Sequence, residues 1–210
     1  MATYKLIYLD ALSRGECPRL MFKTAGIEFE DFRISEEQWP EFQKSNYSAW
    51  HGTVLEVNGK RIIQSLAICR YIAREAGFYG SNNWESTRID SICENIVDYE
   101  HDVDRLWQPH DSDEIKATLK KRYVEEKIPK IYGILETLLK ENNDGNNFFV
   151  GEKISMADFY VFAFIDGTVR THYPSNYDPK EFPKLAAHME RMKKIPQVKD
   201  WLETRPDTPY

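Results

Sequence analysis

Nothing in this chain is concentrated in one place. Its 28 lysines and arginines are outnumbered by 34 aspartates and glutamates, for a formal net charge of −6, and the cations never form a dense run. Nucleic acids and anionic membranes are bound largely through clustered positive charge, so neither is expected as a partner. Long apolar runs are missing too: the longest spans Phe159 to Ile165, far below the roughly 20 residues a membrane-spanning helix needs. The opening residues Met1-Ala-Thr-Tyr-Lys bring in charge too early for an export signal. Without such a signal the acceptor pattern Asn46-Tyr-Ser48 carries no weight. Only three cysteines occur, Cys17, Cys69 and Cys93, and their spacing suits neither a disulfide framework nor a zinc site. The expectation is a cytoplasmic protein without a metal. No internal repeat and no low-complexity segment interrupts it.

What is present falls into two dissimilar halves. Residues 3–9 alternate as a strand, with Leu6 and Tyr8 on one face and Ile7 and Leu9 on the other. Helical spacing follows from Glu16 to Ala25, with Pro18 tolerable in the first turn and Gly26 as the stop. Phe29 to Ile34 reads as a second strand. Strands over 53–57 and 60–63 are then joined by Asn58-Gly59, a hairpin signal because both turn residues need positive φ. A helix over Ser65–Ala76 completes a mixed α/β unit over residues 1–80 whose order resembles the thioredoxin fold.

Gly77 to Asn83 reads as a linker, and beyond it strands disappear. Residues 84–210 are expected to be all α-helical. Ile89, Ile92, Ile96, Val103 and Leu106 mark one long amphipathic helix. Ile115 through Leu138 mark a second, bent at Pro129. Ser155-Met-Ala-Asp158 has the form of a capping box, imperfect because Asp replaces Glu or Gln, ahead of a helix expected to be wholly buried. Short helices near 181–193 and 197–203 finish the chain.

Several residues could carry chemistry. Tyr8 ends the first strand, and Ser13-Arg14-Gly15-Glu16 follows directly. A phenolic O–H can donate to a sulfur anion and a nearby guanidinium can stabilise it, raising the reactive fraction of a thiol whose free pKa is about 8.5. Ser65 can cap its helix and leave backbone N–H groups facing outward, a seat for a carboxylate, with Gln64 adding an amide at the same spot. Each has an ordinary structural alternative: a core aromatic for Tyr8, a plain cap for Ser65, a loop plug and a solvated charge for Trp39 and Lys44, a wet-face acid for Asp98, and a core or subunit contact for Trp107. Taken together they suggest a site for a small acidic thiol compound.

The whole chain resembles the cytosolic glutathione S-transferases, most closely their sigma class, which includes prostaglandin D synthases and the lens S-crystallins. The resemblance is carried by Tyr4-Lys-Leu-Ile-Tyr8, by Arg14-Gly-Glu16, by Arg33-Ile-Ser through Trp39-Pro-Glu41, and by Leu55-Glu-Val-Asn-Gly59. It continues through Gln64 to Ala73, Phe149-Val-Gly-Glu through Ser155-Met-Ala-Asp-Phe-Tyr160, and Ile195 through Pro206. It implies an N-terminal thioredoxin-like α/β domain and an all-α C-terminal domain. It further implies glutathione as co-substrate, a small hydrophobic electrophile, a homodimer and a role in detoxification, with prostaglandin isomerase or peroxidase side activity conceivable. By the same resemblance Tyr8 stabilises the glutathione thiolate and Arg14 assists it. Gln64 and Ser65 hold the γ-glutamyl carboxylate. Trp39 and Lys44 serve the glycyl end, Gln43 being an equal candidate for the lysine's place. Asp98 reaches the partner's glutathione across a dimer interface, and Trp107 lies near an electrophile-pocket tryptophan, the intervening helix being two residues longer here. An acidic interface cluster in some relatives raises a metal role for Glu94 and Asp98, but Val97 removes one ligand, so none is expected.

One departure stands out. The family places a cis-proline before its third strand, and the residue ahead of it pairs its backbone with the cysteinyl part of glutathione; here the chain reads His51-Gly52-Thr53. A trans peptide at Thr53 is expected, since a cis non-proline bond costs roughly 2.5–4 kcal/mol. Losing two ligand hydrogen bonds at Gly52 and Thr53 could cost about 1–3 kcal/mol of affinity. Ser13 also replaces a family glycine. Two further readings therefore accompany the transferase: a non-catalytic structural relative of the S-crystallin kind, and a thiol reductase with Cys17 as nucleophile.

Overall fold

The computed structural model describes residues 2–45, 52–104 and 112–208. Strand β1 (Tyr4–Leu9) leads through helix α1 (Ser13–Ala25) to β2 (Glu30–Ile34), and helix α2 (Trp39–Ser45) precedes the hairpin of β3 (Val54–Val57) and β4 (Lys60–Ile63). The sheet order is β2-β1-β3-β4. β1 runs parallel to β2 and antiparallel to β3. Asn58 and Gly59 take φ of 50° and 78°, the turn expected of that dipeptide. Helix α3 spans Ser65–Ala76, as its spacing predicts.

Two local expectations need correction. The first helix begins at Ser13 rather than Glu16. The connection holding Trp39 and Lys44 contains the short helix α2, where Trp39 and Phe42 stack at 5.7 Å and pack on Ile7, Ile34 and Val54. This small cluster occupies one face of the sheet. The other face, bearing Leu6 and Leu55, belongs to a core continuous with α1, α3 and the second half of the chain.

From Asn83 onward the described residues are helical or in turns. Helix α4 (Asn83–Asp104) buries Ile89, Ile92, Cys93 and Ile96. Helices α5 (Asp113–Arg122) and α6 (Ile128–Lys140) are joined by a wider π-helical turn over Tyr123–Lys127. Pro129 has no N–H to return to the preceding turn, so the bend expected there is accommodated as this widening. Helix α7 (Met156–Ala163) is buried at every residue and continues as a π-helical segment over Phe164–Val169 and the single turn α8 (Arg170–His172). Its Asp158 works as a box residue despite being short: Oδ2 accepts from the Ser155 N–H and hydroxyl, each at 2.8 Å. Oδ1 accepts from the Phe149 N–H and meets His188 Nε2, each at 2.9 Å. Helices α9 (Pro183–Lys194) and α10 (Pro196–Thr204) close the fold. Among the described residues no helix is long and apolar enough to cross a membrane.

A buried ionic cluster ties the halves together. Arg19 on α1 is fully buried; its Nε donates to Asp31 at 3.0 Å and one terminal nitrogen to the Ala11 carbonyl at 2.6 Å. That nitrogen also lies 3.6 Å from Glu16. Glu16 in turn accepts from the Trp201 indole at 2.8 Å and from Arg205 at 2.7 Å, and Arg205 bridges to Asp166. Removing one member of such a cluster strands its partners in a low-dielectric interior. Arg19→Met is expected to lower unfolding free energy by about 3–5 kcal/mol, measured as a shift of the urea midpoint.

Candidate functional site

Strand register gathers the candidate residues at one edge of the sheet. Ile7 pairs with Val54, and Val54 pairs with Ile63. Tyr8 therefore runs just past the end of β3 on one side and Gln64 does so on the other, with Gly52 and Thr53 entering between them. The antiparallel pairing forces this convergence, since the exit of β1, the entry of β3 and the exit of β4 fall at the same end.

Tyr8 is 6 % exposed. Burial pushes its phenol above the ordinary range; a hydrogen bond with Ser13 and the charge of Arg14 oppose that rise, Glu100 adds to it, and Arg19 opposes it. The phenol is thus a protonated donor at neutral pH. Its ring position depends on Gly15. A Cβ there would lie 2.6 Å from Tyr8 Cδ1 and 3.0 Å from an Arg19 terminal nitrogen. Ser13 sits at φ 31°, a conformation costly for a non-glycine residue.

Arg14, in the first turn of α1, has a largely buried side chain and lies 3.9 Å from Glu100 of α4 through its Nε. Tyr160 of α7 donates to the same Glu100 oxygen at 3.0 Å. Sequence reading gave Glu100 no role, because one acid on a long helix looks like part of a wet face. It is in fact 8 % exposed and belongs beside Tyr8.

Trp39 meets Tyr8 edge-on, with ring centroids 6.4 Å apart. Its indole also lies flat against Gly52, where a Cβ would come within 1.8 Å of Cη2, and Gly52 has φ 69°. Steric room and backbone conformation both demand glycine at that position. Thr53 is 2 % exposed, and its hydroxyl finds no partner among the described residues. No cis peptide bond occurs among the described residues.

The seat at α3 differs from expectation. Ser65 is the first helical residue rather than the cap; the cap is Gln64, at φ 75° and ψ 113°, with no side-chain hydrogen bond to the helix start. The first N–H groups of α3 are accordingly left without a side-chain cap, and Gln64 is held in a strained conformation beside them. Gln64 is exposed and Ser65 half-buried.

The other candidates lie farther out. Lys44 is exposed in the last turn of α2, and Asp98 is exposed on α4. Asp90 and Glu94 precede Asp98 at helical spacing and pair with Arg70 of α3 at 2.8 and 2.6 Å. No group of described residues could hold a metal ion. Trp107 lies outside the described residues. Cys17 does not suit the nucleophile role: it is 3 % exposed, and burial together with a hydrogen bond to Cys69 pushes its thiol well above the ordinary value. An inaccessible, protonated thiol is unreactive.

Two variants check this geometry. Gly15→Ala should displace the Tyr8 ring at a cost of about 1–3 kcal/mol, seen as a lowered urea midpoint with a changed near-ultraviolet dichroism. Thr53→Val should raise stability by about 1 kcal/mol in the ligand-free protein, because it removes an unsatisfied buried hydroxyl.

The sequence was compared with known proteins. A family model described as the glutathione S-transferase N-terminal domain matches residues 4–74, and one for the C-terminal domain matches residues 98–205. The chain is 34 % identical to a probable glutathione S-transferase 5 of Caenorhabditis elegans, all of both chains being covered. It is 29 % identical to the S-crystallin SL11 of Nototodarus sloanii, again over all of both. Its fold superposes on prostaglandin synthase D of Nilaparvata lugens with a TM-score of 0.87 and 30 % identity, covering 98 % of this chain and 99 % of that one. With its sheet, its helical half and both family models in agreement, this chain belongs to the glutathione S-transferase family.

Proposed function

We propose that the protein is a sigma-type glutathione transferase that activates the thiol of glutathione for attack on small hydrophobic electrophiles. The observation that carries this reading is the buried, protonated Tyr8 phenol next to Arg14, at the same sheet edge as the uncapped start of α3. A sulfur placed against the Tyr8 hydroxyl would accept its hydrogen bond, and Arg14 would favour the anion electrostatically. The thiol proton leaves to solvent. The sulfur electron pair then forms a bond to the electrophilic carbon, and a leaving group departs with its own pair or an activated double bond takes it up.

In this reading the α-carboxylate of glutathione rests on the open N–H groups of α3, supported by Gln64 and Ser65, since a helix start favours negative charge. Trp39 and Lys44 serve the glycyl end. The strand-like entry at Gly52 and Thr53 faces the cysteinyl part, and the orphaned Thr53 hydroxyl is a group that a bound peptide could satisfy. Asp98, exposed on α4, contributes to a second subunit's site in a homodimer, and Trp107 lines the electrophile pocket. The protein works in the cytoplasm without a metal.

A second reading, a structural relative with weakened glutathione binding, draws on the similarity to an S-crystallin and on Thr53 standing where the family has proline. Two measurements separate them. The enzyme is expected to be retained on immobilised glutathione and to lower the thiol pKa of the bound tripeptide; no detectable binding at millimolar glutathione leaves only the structural reading. Tyr8→Phe should slow conjugation by about 10- to 100-fold, the loss of one donor to a developing charge, while glutathione affinity stays nearly constant. Unchanged turnover in that variant removes Tyr8 from the mechanism.

A further inference from the structure

Among the described residues Glu100 is the carboxylate whose charge acts on Tyr8, and the transferase reading gives it no task. It projects from α4 into the junction of three elements. Arg14 of α1 lies 3.9 Å away and the Tyr160 hydroxyl of α7 donates to it at 3.0 Å. The titratable groups that face it are Tyr8 from β1, Arg14 and Cys17 from α1, and Tyr160 from α7. Among these described groups Arg14 is the cation. A guanidinium and a hydroxyl donor are both suited to hold a carboxylate oxygen in place.

The consequence concerns what may approach the sulfur. If Arg14 faced the cleft alone, its charge would attract an anionic acceptor as readily as it supports a thiolate. With Glu100 beside it that charge is shared, and a thiolate added at Tyr8 leaves the cleft with an excess of negative charge. Close by, Gly167 of the π-helical segment sits beside the loop before α1, where a Cβ would make ordinary contact with Leu12 Cβ at 3.4 Å and the Ser13 nitrogen at 3.5 Å. Any acceptor that reaches a sulfur beside Tyr8 must come close to Glu100 as well, because the carboxylate acts on the same phenol.

We infer that Glu100 determines the charge selectivity of the acceptor site, admitting neutral or cationic electrophiles and disfavouring those that carry a carboxylate near the reacting carbon. This rests on the sulfur lying beside Tyr8, as proposed above. Two like charges a few ångströms apart at protein-surface dielectric are enough for a selectivity of about tenfold.

The test compares a neutral chlorodinitrobenzene with its chloronitrobenzoate counterpart. kcat/KM for each is measured in the wild type and in Glu100→Gln, which keeps an oxygen for Tyr160. The ratio of neutral to carboxylated rates is expected to fall about tenfold in the variant, mostly through a gain on the benzoate. In parallel, calorimetry with the unreactive analogues dinitrobenzene and nitrobenzoate, at saturating glutathione, reads the same preference without chemistry. If neither acceptor is conjugated by the wild type, the transferase reading fails, and the calorimetric pair still decides the role of Glu100. A wild type that binds the carboxylated analogue as tightly as the neutral one overturns the inference. So does a preference left unchanged in Glu100→Gln or in the apolar Glu100→Met.

Discussion

The interaction on which the rest depends is the burial of Arg19. Its guanidinium has no exposure, and it is held by Asp31, the Ala11 carbonyl and Glu16. Burying a charge is tolerable only with partners and hydrogen bonds around it. Here the partners come from different parts of the chain: Asp31 from β2, Ala11 from the loop after β1, and, through Glu16, Trp201 and Arg205 from the last helix and its end. Arg205 carries the chain of charges on to Asp166 in the π-helical segment. The sheet, the first helix and the C-terminal half are thus registered to one another by one connected polar cluster.

That registration explains where strain collects. The loop from β1 into α1 is held by Arg19 through the Ala11 carbonyl; within it Ser13 takes φ 31° and Gly15 leaves room for the Tyr8 ring. Across the same sheet edge Gln64 sits at φ 75° and Gly52 at φ 69°. Strained backbone tends to cluster where geometry is held for function. Three such positions gather at the converging ends of β1, β3 and β4, whereas at the opposite end positive φ falls on ordinary turn residues, Gly26 and the Asn58-Gly59 pair.

Much of this was legible in the sequence, and for definite reasons. Asn58-Gly59 between β-branched runs fixes a hairpin locally, and the apolar spacing of Leu66, Ile68, Cys69 and Ile72 fixes α3. The capping function of Asp158 could be read from Ser155-Met-Ala-Asp158, though its second job, receiving Phe149 and His188, is a tertiary matter. Helix α2 escaped notice because seven residues are too few for periodicity to speak, and its Trp39 and Phe42 pack on the small cluster across the sheet. Ser65 looked like a cap because serine is a good one, but the start of a helix is decided by where the preceding strand ends, one residue earlier. Glu16, Arg19 and Glu100 were invisible as a class: a charged residue on a helix reads as solvated, and only three-dimensional packing reveals which ones are buried in pairs.

Those buried pairs also bear on how the cleft handles charge. Arg19 is matched by Glu16 and Asp31, and Arg14 by Glu100. Both arginines pull against the rise of the Tyr8 phenol, Glu100 offsets part of that pull, and burial, rather than either cation, dominates its behaviour. On the proposed reading, then, a sulfur anion at this site draws its stabilisation chiefly from directed donors: the phenolic O–H, and whatever the Arg14 guanidinium can offer while it also serves Glu100. Directed hydrogen bonds act over a few ångströms and are far less sensitive to ionic strength than an unbalanced charge would be. A cleft organised in this way distinguishes acceptors by fit and by charge sign together, since a second anion brought in beside the thiolate also meets the carboxylate of Glu100.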